Sequence, residues 1–252
     1  MNERDRLGTA EQICTTAGVL PAHPGVDLEQ LAKQLGVKEI RLSAMGEDGR
    51  VSTDHRGDVR IQIRHDLPSE RKHFTIAHEI GHVLLSMPGE VQLRFRAASR
   101  TRNDEERLCD AIAGCLLMPT EWVRTLVPRE SVSLAALLTI RQECHVSLTA
   151  AAVRLRQVTG RTFTAITAIR DQGFWRSPII IGNERSRQLN WTRSAVALLE
   201  NADRSPQRAV INLMVHRTPR AFPAEVAQDK LGAIVLLDGI EFSHLAGRES
   251  VR

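Results

Sequence analysis

The sequence has little of several residue types that mark particular protein classes: no tyrosine, 4% aromatic residues, and four cysteines in 252 residues. Cys14, Cys109, Cys115 and Cys144 form no Cys-x-x-Cys pair, which argues against a disulfide framework or a thiolate zinc site. No apolar run approaches the roughly 20 residues that cross a bilayer, and the opening Met1–Arg6 lacks an apolar secretion-signal core. We therefore expect reduced thiols, a cytoplasmic location and no membrane partner.

Charge is unevenly distributed along the chain. The whole sequence carries +4 and is 42% hydrophobic, which is enough apolar content for folded cores and excludes general disorder. Residues 1–150 hold 19 basic and 21 acidic side chains, whereas residues 151–252 hold 15 and 9, a net of +6. The basic C-terminal region is a candidate for contact with nucleic acid or an acidic protein surface, although an arginine-rich solvated surface is the simpler explanation.

Apolar spacing predicts an α+β protein with one helix and a small sheet before residue 65. Leu28, Leu31 and Leu35 have helical spacing, and Gly36 stands where the helix should end. Residues 37–64 alternate with period two between turn-forming glycines, so we predict two or three antiparallel strands. Further helices are predicted at 68–86, 103–117, 120–126, 134–143, 147–157 and 193–200, and further strands at 162–169, 177–181, 209–216 and 233–237.

The helix predicted at 68–86 contains the pattern His-Glu-x-x-His. His78 and His82 are one turn apart on the same face, so both imidazoles can bind one Zn²⁺. Glu79 points to the side, where it can take a proton from a water activated by the metal without being a ligand. Two surface histidines would show the same spacing, but the strongly apolar helix around the motif favours the metal site.

A third zinc ligand is expected from the acidic cluster on the next predicted helix. Glu106 and Asp110 share a face, so Glu106 can bind the metal while Asp110 accepts the outer N–H of a ligand histidine. Glu105 points about 100° away and is the weaker candidate for the third ligand. An acidic helix N-terminus that complements the helix dipole would need no metal at all, and this alternative stays open.

These residues together resemble the ImmA/IrrE family of bacterial zinc metallopeptidases. The resemblance rests on the run Phe74–His82, on Glu106-x-x-Cys109-Asp110, and on Leu116–Pro119. The usual family pattern has Ala and Asn where this chain has Cys109 and Asp110, and an aromatic residue where it has Ile112. Because the chain departs from the family pattern at Asp110, the resemblance supports the ligand role of Glu106 more strongly than the orienting role of Asp110.

The resemblance implies three regions. Residues 1–126 would form a zincin-like metallopeptidase domain with a small antiparallel sheet and the His-Glu-x-x-His helix. Residues 127–160 would form a helical region like a helix-turn-helix, and residues 161–252 a mixed α/β domain resembling the GAF sensor fold. The implied activity is zinc-dependent endopeptidase cleavage of a helix-turn-helix transcriptional repressor, with one zinc per chain, which would release stress, phage or mobile-element genes.

Two accessory roles follow from the zincin-like fold that the resemblance implies. Because the chain has no tyrosine, a histidine or arginine must stabilise the oxyanion, and His73 and His145 are candidates, although a structural role is the commoner one for either. The strand that carries Val59, Ile61 and Ile63 precedes the metal helix directly. We predict that it is an edge strand to which an extended substrate adds, while the basic C-terminal region recognises the repressor.

Two other functions compete with the peptidase. The helices at 134–157 could form a DNA-binding helix-turn-helix with Arg154 and Arg156 reaching the DNA, although the small apolar run Ala150–Val153 suits packing better. A zinc protein that senses or sequesters without cleaving has the same sequence signature. DNA is therefore a possible but secondary partner beside the repressor.

Overall fold

The computed structural model describes residues 2–98, 101–127, 131–171, 174–181, 192–215, 218–229 and 232–238. The chain folds as two compact units. The first comprises Met1–Thr125 and Ile140–Gln157, and the second Leu126–Thr139 and Val158–Arg252. The helical region predicted at 127–160 is thus divided between the two units. No helix in the described ranges has the length and apolarity needed to cross a membrane.

The first unit combines a three-stranded sheet with helices that precede and follow it along the chain. Its elements are α1 (Glu3–Thr16), α2 (Leu28–Gln34), β1 (Val37–Ser43), β2 (Gly49–Thr53), β3 (Val59–Arg64), α3 (Ser69–Ser86), α4 (Glu90–Ala98), α5 (Arg102–Leu117), α6 (Thr120–Thr125) and α8 (Leu148–Thr159). The divisions between the units fall within α7 (Leu134–Glu143) and, after Gln157, in the last turn of α8. The sequence predicted these elements except α1 and α4.

The small sheet has the order β1-β3-β2, and the prediction that it is antiparallel is wrong for one of its two pairings. β2 pairs antiparallel with β3, with Val51 opposite Ile61, whereas β1 pairs parallel with β3, with Ile40 opposite Ile61. Alternating apolar residues predict strands but not their directions, because direction depends on which edge each strand joins. The sheet is therefore mixed.

The strand order also corrects the prediction of a substrate-binding edge at Val59, Ile61 and Ile63. Their strand, β3, lies in the centre of the sheet, and hydrogen bonds to β1 and β2 occupy both of its edges. Ile61 and Ile63 are fully buried. An extended peptide therefore has no free main-chain groups to join at β3, and β2 is an edge strand instead.

Three helices form the apolar support of the first unit. α1 is capped by Asn2, whose side chain accepts a hydrogen bond from the Asp5 amide; the helix packs on α5, and its residues Ala10 and Ile13 are fully buried. α3 and α5 cross closely at Gly81, where an added Cβ would lie 3.1 Å from the Cα of Cys109. This close crossing brings the histidines of α3 opposite the acidic face of α5.

The second unit is built on a five-stranded antiparallel sheet with the order β5-β4-β8-β7-β6. The elements are β4 (Phe163–Asp171), β5 (Phe174–Ile181), α9 (Arg193–Glu200), β6 (Gln207–Val215), β7 (Thr218–Asp229) and β8 (Gly232–Asp238). Its core includes Leu199 of α9, Ile211 and Leu213 of β6, and Val235 of β8. The sequence did not predict β7, because Pro219 and Pro223 within it argue against a strand that is paired on both edges.

Candidate metal centre

The helix α3 carries the candidate ligands and the candidate base. Its N-terminal cap is Pro68, and its apolar residues, including Ile80 and Leu84, are buried. Because they are four residues apart on this helix, His78 and His82 lie one turn apart on the face directed at α5. Their ring centroids are 5.0 Å apart. Two imidazoles in this arrangement can bind the same cation.

Glu106 of α5 lies beside the same nitrogen of both rings. Its Oε2 atom is 3.3 Å from Nε2 of His78 and 3.7 Å from Nε2 of His82. Ligands at about 2.0–2.1 Å around a tetrahedral Zn²⁺ lie roughly 3.3 Å from one another. Two imidazole nitrogens and one carboxylate oxygen at these separations fit a catalytic zinc site that keeps a position open for water.

The outer ring nitrogens are bound by two other carboxylates of α5. Nδ1 of His78 donates to Oδ1 of Asp110 at 2.9 Å, and Nδ1 of His82 donates to Oε1 of Glu105 at 3.2 Å. With Nδ1 protonated and engaged, Nε2 of each ring carries the lone pair that a metal needs. The geometry favours Glu106 over Glu105 as the third donor and gives Glu105 the same relation to His82 that Asp110 has to His78.

Cys109 is a second candidate for the third donor. Its Sγ and one nitrogen each of His78 and His82 lie within 4.8 Å of one another. The thiol is fully buried, and this burial raises its pKa far above the ordinary value, helped by the charges of Glu105 and Glu106. We favour Glu106 because its oxygen lies close to both Nε2 atoms and its side chain opens to the cleft, whereas Cys109 packs behind them against Gly81.

The pKa values of His78 and Glu79 are both displaced upward, for different physical reasons. Burial alone would lower the pKa of His78, but its hydrogen bond with Asp110 and the nearby carboxylates raise it above the ordinary value. Burial raises the pKa of Glu79, whose side chain is only 6% exposed, against the opposing effect of the two histidines. A carboxylate with a raised pKa is a better proton acceptor, as a general base requires.

The backbone of β2 lies directly against Glu79. A Cβ added at Gly49 would lie 2.5 Å from Oε1 of Glu79 and 2.6 Å from Cγ2 of Thr75. Only glycine permits this approach, so Gly49 helps fix where the Glu79 carboxylate can lie. The sequence marked Gly49 only as a turn former, since nothing local to it indicates contact with a helix about 30 residues later.

A cleft of about 830 Å³ is lined by the two histidines and the carboxylates of this candidate site. Its lining includes His78, Glu79, His82 and Glu106, and Gly49, Arg50 and Val51 of β2 supply one wall. Arg71, Arg50 and Arg102 add positive charge, and Arg71 is paired with Asp48 at 2.7 Å. The edge strand β2 thus runs beside the candidate metal site, as the sequence had predicted for β3.

The two histidines predicted as oxyanion stabilisers do not line this cleft. His73 and His145 instead contact each other, with ring centroids 6.4 Å apart and ring planes at 73°. His73 precedes His78 by five residues on the same helix, so the two side chains project about 140° apart around the helix axis. Burial lowers the pKa of His73, and the neighbouring His145 lowers it further.

Comparisons with known proteins identify the domain that contains this cleft. The family model of the IrrE N-terminal-like domain, peptidase M78, matches residues 32–156. The radiation response metalloprotease IrrE of Deinococcus deserti is 32% identical over 142 residues, which are 54% of this chain and 49% of that protein. The protein of the same name from Deinococcus radiodurans is 27% identical over 147 residues, 57% of this chain and 44% of that protein.

The chain therefore spans about half the length of the curated relatives that it matches. A solved Mycobacterium tuberculosis transcriptional regulator shares the fold, with a TM-score of 0.50, 14% identity, and coverage of 96% of this chain and 78% of that one. Through the domain at residues 32–156, which contains His78, His82 and Glu106, the chain belongs to the ImmA/IrrE family of metallopeptidases.

Proposed function

We propose that this protein is a zinc-dependent endopeptidase that cleaves a helix-turn-helix transcriptional repressor. The observation that carries the proposal is the convergence of His78, His82, Glu106 and Glu79 in one open cleft. The first three would hold one zinc ion per chain. A bound zinc would act as a Lewis acid that polarises the scissile carbonyl and lowers the pKa of water.

Glu79 is the proposed general base. Its carboxylate lies in the cleft, is not one of the proposed ligands, and lies, like the Thr75 side chain, against the backbone of Gly49. In that position it can accept a proton from the attacking water and pass it to the leaving amine. Asp110 and Glu105 keep the two histidines oriented with Nε2 toward Glu106.

We propose that the substrate adds to the free edge of β2. Among the residues that the structure describes, this strand pairs on one side only, with β3, and Gly49, Arg50 and Val51 line the cleft. An extended peptide can form main-chain hydrogen bonds with such an edge, so that its carbonyl groups pass beside the metal ligands. Backbone bonds discriminate poorly among sequences, so we also retain the basic C-terminal region as the proposed recognition surface for the repressor.

The substrate class rests on the family. Cleavage of a helix-turn-helix repressor would release stress, phage or mobile-element genes, and the name of the two relatives, radiation response metalloprotease, supports a stress role. We place the protein in the cytoplasm because such a repressor acts on DNA. DNA itself remains a secondary partner.

Burial of Arg154 weighs against a DNA-binding helix-turn-helix as the main function. Arg154 is 1% exposed, and its guanidinium donates to the carbonyl of Met118 at 2.8 Å and to Oγ1 of Thr120 at 2.7 Å. A side chain held in this way cannot reach phosphates or base edges. Arg154, one of the two arginines predicted to reach the DNA, is therefore part of the packing inside the first unit.

The test is incubation of the zinc-loaded protein with the helix-turn-helix repressor encoded nearest to its gene. The comparison uses Glu79→Gln and, as a matched control, Glu121→Gln, because the Glu121 side chain is 80% exposed and lies outside the cleft. We expect all three proteins to hold one zinc, and wild type and Glu121→Gln to give the same two fragments by mass spectrometry. Glu79→Gln should give none, because an amide cannot accept the proton.

Two outcomes would contradict the proposal. Equal cleavage by Glu79→Gln would show that the base lies elsewhere or that another protease contaminates the sample. Stoichiometric zinc without cleavage of the repressor by the wild type would favour the non-proteolytic zinc sensor.

A further inference from the structure

A second cavity of about 560 Å³ opens beside the candidate active site in the first unit. It shares three lining residues with the first cleft: Arg71, Phe74 and Asp110. Asp110 holds the outer nitrogen of His78, so the wall between the two spaces includes a residue bound to a proposed metal ligand. The two spaces therefore adjoin at these three residues.

Small and apolar residues line part of this cavity, beside seven charged side chains. Ala111 and Gly114 of α5 and Ala150 of α8 leave the space open between the two helices. A Cβ added at Gly114 would meet only the Cδ of Arg154, at 3.7 Å. Val153 of α8 also lines the cavity and is 40% exposed, although it is one of the large hydrophobic residues.

The cleft at the metal site has a different character. Its lining is largely charged, and Val51 and Phe74 are its bulky apolar residues. A peptide backbone with its hydrogen-bonding groups suits the cleft, whereas a large apolar side chain would leave charged groups there without water. The second cavity has a mixed lining with more apolar residues than the cleft, including Met118 and Val153, and a side chain seated against them would cover Val153.

We propose, on the basis of the proposed function, that this cavity is a specificity pocket for a bulky apolar side chain of the substrate beside the scissile bond. Phe74 contributes to both spaces and would separate the backbone in the cleft from the side chain in the pocket. The residue accepted would be of the leucine, methionine or phenylalanine type. Substrates with alanine at that position would leave the pocket partly empty and bind more weakly.

Binding of two peptide hydroxamates tests this pocket without an assay of cleavage. The hydroxamate group is directed to the zinc of the loaded protein, and the next residue is leucine in one probe and alanine in the other. Isothermal titration calorimetry is performed on wild type, Val153→Asp and Leu93→Asp. Leu93 is a matched control, because it is an exposed apolar residue of a helix in the same unit and does not line the pocket.

We expect wild type and Leu93→Asp to bind the leucine probe about 10–100-fold more tightly than the alanine probe. Val153→Asp should lose most of this preference while it retains the weak affinity for the alanine probe. Equal affinities for the two probes in the wild type, or an unchanged preference in Val153→Asp, would overturn the pocket and leave the peptidase proposal standing. Failure of both probes to bind the zinc-loaded protein would overturn the peptidase proposal and the pocket with it.

Discussion

The two units of this protein differ in what they bury. Among the residues that the structure describes, five polar side chains are buried, and four of them are in the first unit. They are Thr75, Glu79, Thr120 and Arg154; the second unit buries Thr164. The core of the second unit is an apolar layer between one face of its antiparallel sheet and α9.

The buried polar groups of the first unit are of two kinds. Burial of a polar group costs free energy unless it is hydrogen-bonded, so buried polar groups persist where they are satisfied or needed. Arg154 is of the first kind at two of its three nitrogens, because Nε donates to the carbonyl of Met118 and Nη2 to Oγ1 of Thr120. Glu79 is of the second kind, since its burial raises its pKa and keeps it beside the candidate metal site.

Removal of a zinc ligand should produce the largest effect and should be confined to the first unit. We expect Glu106→Ala and His82→Ala to lower zinc affinity by more than the roughly 10–100-fold that follows loss of an outer hydrogen-bond partner. Cys109→Ala should retain the ion, because we assign the third position to the carboxylate. Zinc per chain is measured by mass spectrometry after dialysis against competing chelators. Loss of zinc from Cys109→Ala with retention in Glu106→Ala would reverse the assignment.

A core substitution in the second unit should have the opposite signature. Leu213 is fully buried in the apolar layer beneath α9. Leu213→Ala should lower the free energy of unfolding by about 2–5 kcal/mol through lost burial and a cavity. Urea unfolding and zinc content are measured on the same sample. A zinc content below that of the wild type would show that the units are not independent.

Gly49→Ala tests whether the close approach of β2 fixes the position of Glu79. The new Cβ would overlap Glu79 and Thr75, so the carboxylate must move. We expect a loss of cleavage of roughly a hundredfold, as misplacement of a reacting group by about 1 Å can cause. Zinc content should be unchanged, because no ligand is displaced. Gly46→Ala is the control, since nothing lies within 4 Å of a Cβ there; equal losses in both variants would mean that the loop matters and the contact does not.

Gly49 also shows where inference from the sequence ends. The helices α3 and α5 and the pattern of His78, Glu79 and His82 were predictable, because helix periodicity and ligand spacing are local properties. The contact between Gly49 and Glu79 depends on how the sheet packs against α3. No local pattern encodes it.

The same limit applies to topology and to one of the acidic residues. Alternation predicted strands in the first unit, but the parallel pairing of β1 with β3 depends on their placement in space. Helical geometry correctly separated Glu105 from Glu106 by about 100°. It could not show that this offset brings Glu105 to the outer nitrogen of His82, because that requires the crossing of α3 and α5.

Glu105 should therefore have a smaller effect on zinc than Glu106. We expect Glu105→Ala to weaken zinc binding by about 10–100-fold, because His82 loses the acceptor that orients its ring. Glu105→Gln retains an acceptor oxygen and should recover most of the affinity. Competition with a fluorescent chelator measures both values. An affinity of Glu105→Gln as low as that of Glu106→Ala would indicate that Glu105 is itself a ligand.

The smallest expected effect concerns the pH dependence of stability at His73. Burial and His145 hold the pKa of His73 below its ordinary value of 6.5 in the folded protein, so the unfolded chain binds the proton more tightly. This histidine makes no pH-dependent contribution well above pH 6.5, and it destabilises the fold progressively as the pH falls below that value. His73→Gln should therefore lose less stability than the metal-free wild type between about pH 7.5 and 5.5 in urea unfolding. Identical pH profiles for the two proteins would show that His73 titrates alike in the folded and unfolded chains, and that its contact with His145 has no energetic effect.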